Sequence, residues 1–144
     1  MTFSFVQENT ASRLNLETFV KGLTDDDLAR TNAEGWTAAA LLAHLAFWDY
    51  RVLVLLRRWQ ANGVDESPVD PNMINDALKP LCLALPPRTA VELCLNAAAA
   101  IDSALETITP ELVAAIEASP NHFRFNRALH RNDHLGEISQ LLTS

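Results

Sequence analysis

The chain has 144 residues, 49% of them hydrophobic, enough for one folded domain spanning residues 1–144 with a single core. Its formal net charge of -7 argues against nucleic-acid binding, which needs a basic surface. Charged side chains interrupt the longest apolar run, so no membrane span is expected; they are Asp49, Arg51, Arg57 and Arg58. Residues 1–5 do not start a secretory signal, and Cys82 and Cys94 are therefore expected to be reduced thiols. These features predict a soluble, cytoplasmic domain.

The first half of the chain predicts two long helices. Alanine and leucine are abundant and glycine is rare, which favours helix throughout. The first helix should cover residues 4–21 and stop at Gly22, before a short turn capped by Thr24. The second should be capped by Thr37 and continue to Gly63, because apolar residues recur at helical spacing between them.

The second half begins with a long connection, residues 63–88, that contains five prolines and short helical pieces around residues 72–79. A capping box formed by Thr89 and Glu92 predicts the start of the third long helix, which should end near residue 107. Thr109-Pro110 predicts a short helix, and Ser119-Pro120 predicts the fourth long helix over about residues 120–142.

Four long helices predict an all-α four-helix bundle. The long connection between the second and third helices is typical of two parallel helices, which gives an up-down-down-up order. His44 lies seven residues after Thr37, and His134 lies eight residues before Leu142. At 1.5 Å per residue, these separations are roughly 10 Å and 12 Å, so antiparallel neighbours would bring the two histidines to one level.

Three histidines are the candidate metal ligands. His130 and His134 are four residues apart on one helix face, and His44 lies on the flank of the second helix's apolar face. Three imidazoles would leave an open fourth position on a zinc-type ion, as in catalytic sites. The alternative is that each histidine only hydrogen-bonds a neighbour. His122 is too far along the helix to join the same ion.

Other polar residues surround this candidate site. Arg127 and Arg131 lie in the same sector of the last helix and, with Trp48, could line a pocket that holds an anionic group of a substrate. Alternatively, the two arginines could extend to water. Glu137 could orient a ligand or act as a base, or it could be an ordinary surface carboxylate.

Three sequence segments resemble the DinB-like superfamily of helical proteins: Gly35-Trp36-Thr37, Ala43-His44-Leu45, and the run from His130 to Ile138. That superfamily includes thiol-dependent transferases and mycothiol-dependent maleylpyruvate isomerases. The resemblance implies an up-down-down-up bundle, a divalent metal on His44, His130 and His134, and a homodimer. Relatives often carry Gln where this chain has Glu137. Gly136, costly inside a helix, would fit a place where another group comes close.

Two functions follow as hypotheses. The first is a metal-dependent enzyme, with zinc or nickel at the three histidines, that activates a small thiol co-substrate or water for transfer, isomerisation or hydrolysis. The second is a non-catalytic helical bundle that binds a small molecule or associates with itself, with or without metal. Metal affinity should fall below about pH 6, because only neutral imidazole binds metal.

Overall fold

The computed structural model describes residues 2–143, which form seven helices and no β-strand. The helices are α1 (Ser4–Lys21), α2 (Asp25–Ala29), α3 (Ala38–Asn62), α4 (Pro71–Ala84), α5 (Pro87–Glu106), α6 (Pro110–Glu117) and α7 (Ala128–Thr143). The prediction of an all-α fold is confirmed. The up-down-down-up order of the four long helices stays a prediction.

The N-terminal half follows its local sequence signals. The first helix has the predicted bounds, and Thr24 and Asp27 form a reciprocal capping box at the start of α2. At the start of α3, the Thr37 side chain accepts a hydrogen bond from the Ala40 backbone N–H. Thr109 caps α6 in the same way, through the backbone N–H of Leu112.

Helices α4 and α5 differ from the sequence prediction. The expected short pieces around residues 72–79 are one helix of 14 residues, capped by the Asp70 side chain and containing Pro80. The predicted capping box of Thr89 and Glu92 is wrong, because α5 begins at Pro87 and its N-cap is Pro86, three residues before Thr89. Proline at the first helical position has the helical φ built in and lacks only an N–H that would be unpaired there.

The predicted start of the last helix at residue 120 is also wrong. Helix α7 begins at Ala128, and residues 120–127 run without helix. Aromatic packing explains the difference, since Phe125 stacks on Phe5 and Phe123 packs on Trp59. Asn9 of α1 fixes the same segment by donating to the Phe125 carbonyl, at 2.9 Å. Tertiary contacts therefore override the local proline signal.

Helix α3 lies at the centre of the fold. It packs most extensively on α5 and also contacts α2, α4 and α7, while α1 packs on α5 and α7. Two apolar clusters form the core: one around Leu16, Leu42 and Ile138, the other around Leu56, Trp59 and Ile101. This arrangement places His44 of α3 opposite the histidines of α7.

Among the described residues, α3 is the one helix long and apolar enough to cross a membrane by length and composition. The expectation that charged residues keep every apolar run too short is therefore wrong. In the fold, 72% of the apolar window of α3 is buried. The core helix of a soluble protein passes the same test, so this helix alone is weak evidence for a membrane span.

Candidate metal centre

Three histidine rings converge between α3 and α7. The Nε2 atom of His130 lies 3.2 Å from that of His44 and 3.1 Å from that of His134. His44 is buried, and the other two side chains are half-buried. We refer to these three residues as the histidine cluster. Four-residue spacing brings His130 and His134 to one face of α7, and packing of α3 against that face supplies the third ring.

Two tryptophan side chains, one before α3 and one within it, pack against the ring of His44. The ring of Trp36 makes an edge contact with the His44 ring at a centroid distance of 5.6 Å, and Trp48 makes another at 6.4 Å. The Trp48 indole N–H donates a 3.0 Å hydrogen bond to the side-chain oxygen of Asn75 on α4. The ring of His44 therefore has little room to turn away from α7.

The donor set fits a divalent transition metal. A ring nitrogen carries either one proton or one lone pair, so His130 Nε2 cannot pair well with two neighbouring Nε2 atoms at once. One cation accepting a lone pair from each ring would satisfy all three nitrogens. Metal–nitrogen bonds of 2.0–2.1 Å in tetrahedral geometry place ligand nitrogens about 3.3 Å apart. Two of the three separations, 3.1 and 3.2 Å, are close to that value, and all three ligand atoms lie within 4.8 Å of one another.

Glu137 fixes the orientation of His134. One of its carboxylate oxygens lies 3.1 Å from His134 Nδ1, and the other accepts a 2.7 Å hydrogen bond from the amide of Asn32. An ionised carboxylate accepts, so the proton shared with His134 lies on Nδ1 and the Nε2 lone pair faces the cluster. Carboxylate–histidine pairs of this kind orient metal ligands in proteins.

Asn32 is held in turn by the loop between α2 and α3. Its side-chain oxygen accepts hydrogen bonds from the backbone N–H groups of Glu34 and Trp36. Gly35 allows the tight turn with a φ of 88°, a value that favours glycine. The same loop thus positions Trp36 against His44 and Asn32 against Glu137.

Burial keeps two of the three rings neutral. Desolvation, reinforced by the charge of His134, lowers the pKa of His44 to about 4. Desolvation also lowers the pKa of His130 to about 3, with further contributions from His134, His44 and two arginines. Neutral imidazole is the form that binds metal, so at these two ligands protonation does not compete with metal at pH 6, contrary to the expectation from the sequence, but only at lower pH.

The structure separates the two arginines that sequence reasoning grouped. Arg131 is fully buried and lines neither of the cavities beside the histidines. Its guanidinium binds both oxygens of Asp102, at 2.8 and 3.0 Å, and one oxygen of Asp49, at 3.2 Å. The expectations that it binds a substrate anion or extends to water do not hold, because carboxylates of the protein compensate its charge inside the core.

Arg127 belongs to the same buried group but also reaches a cavity. Its Nε donates to Asp49 at 2.9 Å, and its side chain lines a space next to the histidines. Arg13 and Glu17 complete the group, with Arg13 bound to Asp102. We refer to the six residues Arg13, Glu17, Asp49, Asp102, Arg127 and Arg131 as the arginine–carboxylate network.

Two cavities reach the histidine cluster, and both are lined by His44, His130 and Asn75. The first, the basic cavity, has a volume of about 220 Å³ and contains Trp48 and arginines but no carboxylate in its lining. The second, the acidic cavity, has a volume of about 440 Å³ and is lined by three carboxylates: Glu34, Asp76 and Glu137. A ligand at the cluster would therefore meet opposite charges in the two cavities.

Sequence reasoning missed several residues around the cluster. Arg51 had a signal, because it lies seven residues after His44 and thus on the same face of α3. Asn32 and Asn75 had none, since their contacts with Glu137 and Trp48 join distant parts of the chain.

Two other sequence expectations have opposite outcomes. His122 is exposed in the segment before α7 and lies outside the cluster, as predicted. A Cβ atom added at Gly136 would meet no other atom within 4 Å, so the expected close approach at this glycine is wrong.

Comparison with known families identifies the group to which the protein belongs. Residues 10–129 match the family described as the mycothiol maleylpyruvate isomerase N-terminal domain, a member of the DinB-like superfamily. The match covers most of the chain, so the protein belongs to this family. It includes His44 but ends one residue before His130. No curated protein and no solved structure matches the chain significantly.

Proposed function

We propose that this family member is a metal-dependent enzyme that uses the histidine cluster to activate a small thiol or water. The observation that carries the proposal is the convergence of three imidazole nitrogens, two of the contacts being 3.1 and 3.2 Å. Three protein ligands leave a tetrahedral ion one position for a reactant, which is typical of catalytic sites. Family membership supports a thiol, because mycothiol stands in the family's description.

The chemistry divides between the ion and the chain. A divalent ion would supply Lewis acidity that lowers the pKa of a thiol or water. His44, His130 and His134 would hold it, and Glu137 would keep His134 in the ligating tautomer. Both oxygens of Glu137 are engaged, with His134 and Asn32, which favours an orienting role over that of a base.

The surroundings of the cluster suit a small substrate. Trp48 lies in the wall of the basic cavity and offers an apolar face beside the histidines. Burial of His44 and its packing against Trp36 restrict water at that side of the cluster. Transfer, isomerisation and hydrolysis are all compatible with an activated thiol or water at this place. Cytoplasmic location and homodimer formation remain predictions from the sequence.

Metal loading with matched histidine variants tests the proposal. Purified protein is loaded with Zn²⁺ or Ni²⁺, desalted and analysed for metal content. We expect about one ion per chain in the wild type and in His122→Ala, and strongly reduced content in His44→Ala, His130→Ala and His134→Ala. His122 is the matched control because it is exposed and outside the cluster.

A second step separates an enzyme from a binding protein. The metal-loaded protein is assayed with a panel of small thiols and electrophiles, and turnover should require the three cluster histidines. Failure to retain stoichiometric metal would remove the chemical basis of the proposal. Retained metal without turnover of any pair would instead favour the non-catalytic alternative.

A further inference from the structure

The basic cavity has an excess of positive charge that the protein does not balance. The whole chain is acidic, with a formal net charge of -7, yet Arg51, Arg124 and Arg127 all line this one space. No aspartate or glutamate is among its lining residues. Such a concentration of cations is unfavourable unless an anion offsets it.

Arg127 does not account for the excess of positive charge in the basic cavity. The arginine–carboxylate network contains three arginines and three carboxylates, so its formal charges cancel. Arg127 takes its carboxylate contact from Asp49 within that network. The unbalanced charge of the cavity therefore belongs to Arg51 and Arg124, which form no ion pair with any residue between 2 and 143.

Arg51 is held in position, but some of its N–H donors have no acceptor among the described residues. Its guanidinium lies over the Trp48 ring, 5.9 Å from the ring centroid, which fixes the side chain along the cavity wall. Its contacts to Ser67 are long, 3.3 and 3.4 Å, and both come from Nη2. Within the part of the chain that the structure describes, Nε and Nη1 donate to no protein acceptor, and a guanidinium has five N–H donors in all.

The electrostatic setting supports the same conclusion. Burial is the main cause of the lowered pKa of Arg51, and repulsion by the positive charge of Arg127 lowers it further. An oxyanion in the cavity would relieve this repulsion and accept the free N–H groups. Planar guanidinium groups bind carboxylate and phosphate oxygens through paired hydrogen bonds.

We propose that Arg51 and Arg124 bind the oxyanion group, carboxylate or phosphate, of the substrate that reacts at the histidine cluster. The inference rests on the proposed function and defines its substrate as an anionic small molecule. The cavity also contains His44 and His130, so an anion held by the arginines lies next to the reacting position. Trp48, between Arg51 and His44, would contact the apolar part of the same molecule.

Binding of simple anions to the metal-free protein tests the proposal without the metal site. Inorganic phosphate and succinate are titrated at low ionic strength, and the side-chain Nε–H signals of the arginines are followed by NMR. We expect saturable shifts of Arg51 and Arg124 with at least one probe, and about tenfold weaker binding in Arg51→Gln and in Arg124→Gln. The probe that binds more tightly distinguishes a phosphate from a carboxylate substrate.

Arg57→Gln is the matched control, because Arg57 is exposed on the same helix and its loss changes the net charge equally. It should leave both affinities unchanged. Absence of saturable binding, or equal weakening by Arg57→Gln, would overturn the proposal. Because Arg124 is exposed, its variant should fold even if Arg51→Gln does not.

The outcomes separate this inference from the proposed function. Anion binding at the two arginines without metal binding at the histidines would contradict the enzyme proposal and leave the anion site intact. Metal binding at the histidines without anion binding at the two arginines would contradict the anion site and leave the enzyme proposal intact. The two results are independent, because metal binding is measured as the metal content of the loaded protein and anion binding is measured on metal-free protein.

Discussion

Helix α7 contributes to two polar clusters, the arginine–carboxylate network and the histidine cluster. They differ in how far the charges and hydrogen-bonding groups of their members pair with one another. In the arginine–carboxylate network, opposite charges are equal in number, and Arg131 makes six hydrogen bonds through Nη1 and Nη2. In the histidine cluster, three imidazole rings present the same kind of atom to one another. The first cluster is satisfied by its own members except at Arg131 Nε, which has no hydrogen-bond partner within residues 2–143, whereas a divalent cation would satisfy the facing nitrogens of the second. Opposite charges that pair with one another support the fold, whereas facing nitrogens of the same kind point to a binding site.

The two clusters are also adjacent in sequence, since Arg131 follows His130 directly. Of the residues in α7, Ala128, Arg131 and Ile138 are buried, and Leu135 and Leu142 pack partly buried against the core. The pairing of Arg131 with Asp49 and Asp102 acts together with these contacts in fixing the rotation of α7. That rotation directs His130 and His134 towards His44. The network thus supports the geometry of the histidine cluster without contacting a ligand.

The largest expected effect comes from breaking the arginine–carboxylate network. Arg131→Ala would leave Asp49 and Asp102 buried and partly uncompensated, which should lower the free energy of unfolding by about 3–5 kcal/mol. Urea denaturation measures the change. Arg88→Ala is the control, because its pair with Asp25 is exposed and should contribute about 1 kcal/mol or less. Equal effects of the two substitutions would contradict the structural role of the network.

The second-largest expected effect is on the metal affinity of the histidine cluster. Glu137→Gln removes the charge that holds the proton on His134 Nδ1, and we expect metal affinity to fall by about 10- to 100-fold. Calorimetric titration with Zn²⁺ measures the affinity. Glu34→Gln is the matched control, because Glu34 lines the same acidic cavity but is exposed and makes no contact with a histidine among the described residues. A similar loss in both variants would show that only the general negative charge matters.

A smaller effect should appear as a pH dependence of the metal-free protein. Below pH 6.5 the unfolded chain protonates its histidines, whereas the folded chain keeps His44 and His130 neutral down to about pH 4 and about pH 3. The unfolded state then binds more protons, so stability falls as the pH is lowered through this window, by up to about 1.4 kcal/mol per pH unit for each histidine. Unfolding free energies measured from pH 7 to pH 4.5 test this.

In that experiment, His44→Leu should show a shallower decline than the wild type, because one of the two titrating groups is gone. An identical decline in both proteins would show that other groups cause the acid sensitivity.

The smallest expected effect is a gain in stability. Gly136 lies inside α7, and a Cβ there would meet no atom within 4 Å. Gly136→Ala should therefore raise the free energy of unfolding by about 0.5–1 kcal/mol, through the lower conformational entropy of the unfolded chain. Thermal and urea denaturation measure it. A loss of stability would mean that the helix approaches another group more closely than the structure shows.

The comparison of the two clusters also explains what the sequence could predict. Local signals were sufficient for the bounds of α1, for the caps Thr24 and Thr37, and for the four-residue spacing of His130 and His134. These features depend on a few neighbouring residues, whose effects on the backbone are well understood. The late start of α7 depends instead on Asn9 and on aromatic packing far away in sequence.

The partners of buried charges were beyond sequence reasoning for the same reason. Arg131 pairs with Asp102, 29 residues away, and with Asp49, 82 residues away. Nothing in the local sequence of either aspartate marks it as a partner. A buried arginine and a ligand-binding arginine have the same appearance in a helical pattern, and only the fold distinguishes Arg131 from Arg51.

The coordination of metal in the loaded protein tests the central claim most directly. X-ray absorption spectroscopy of the Zn²⁺-loaded protein should show three imidazole nitrogens at about 2.0–2.1 Å and one further light ligand. Adding a small thiol should replace that light ligand by sulfur at about 2.3 Å. A zinc environment without imidazole, or one unchanged in the His44→Ala variant, would contradict the account.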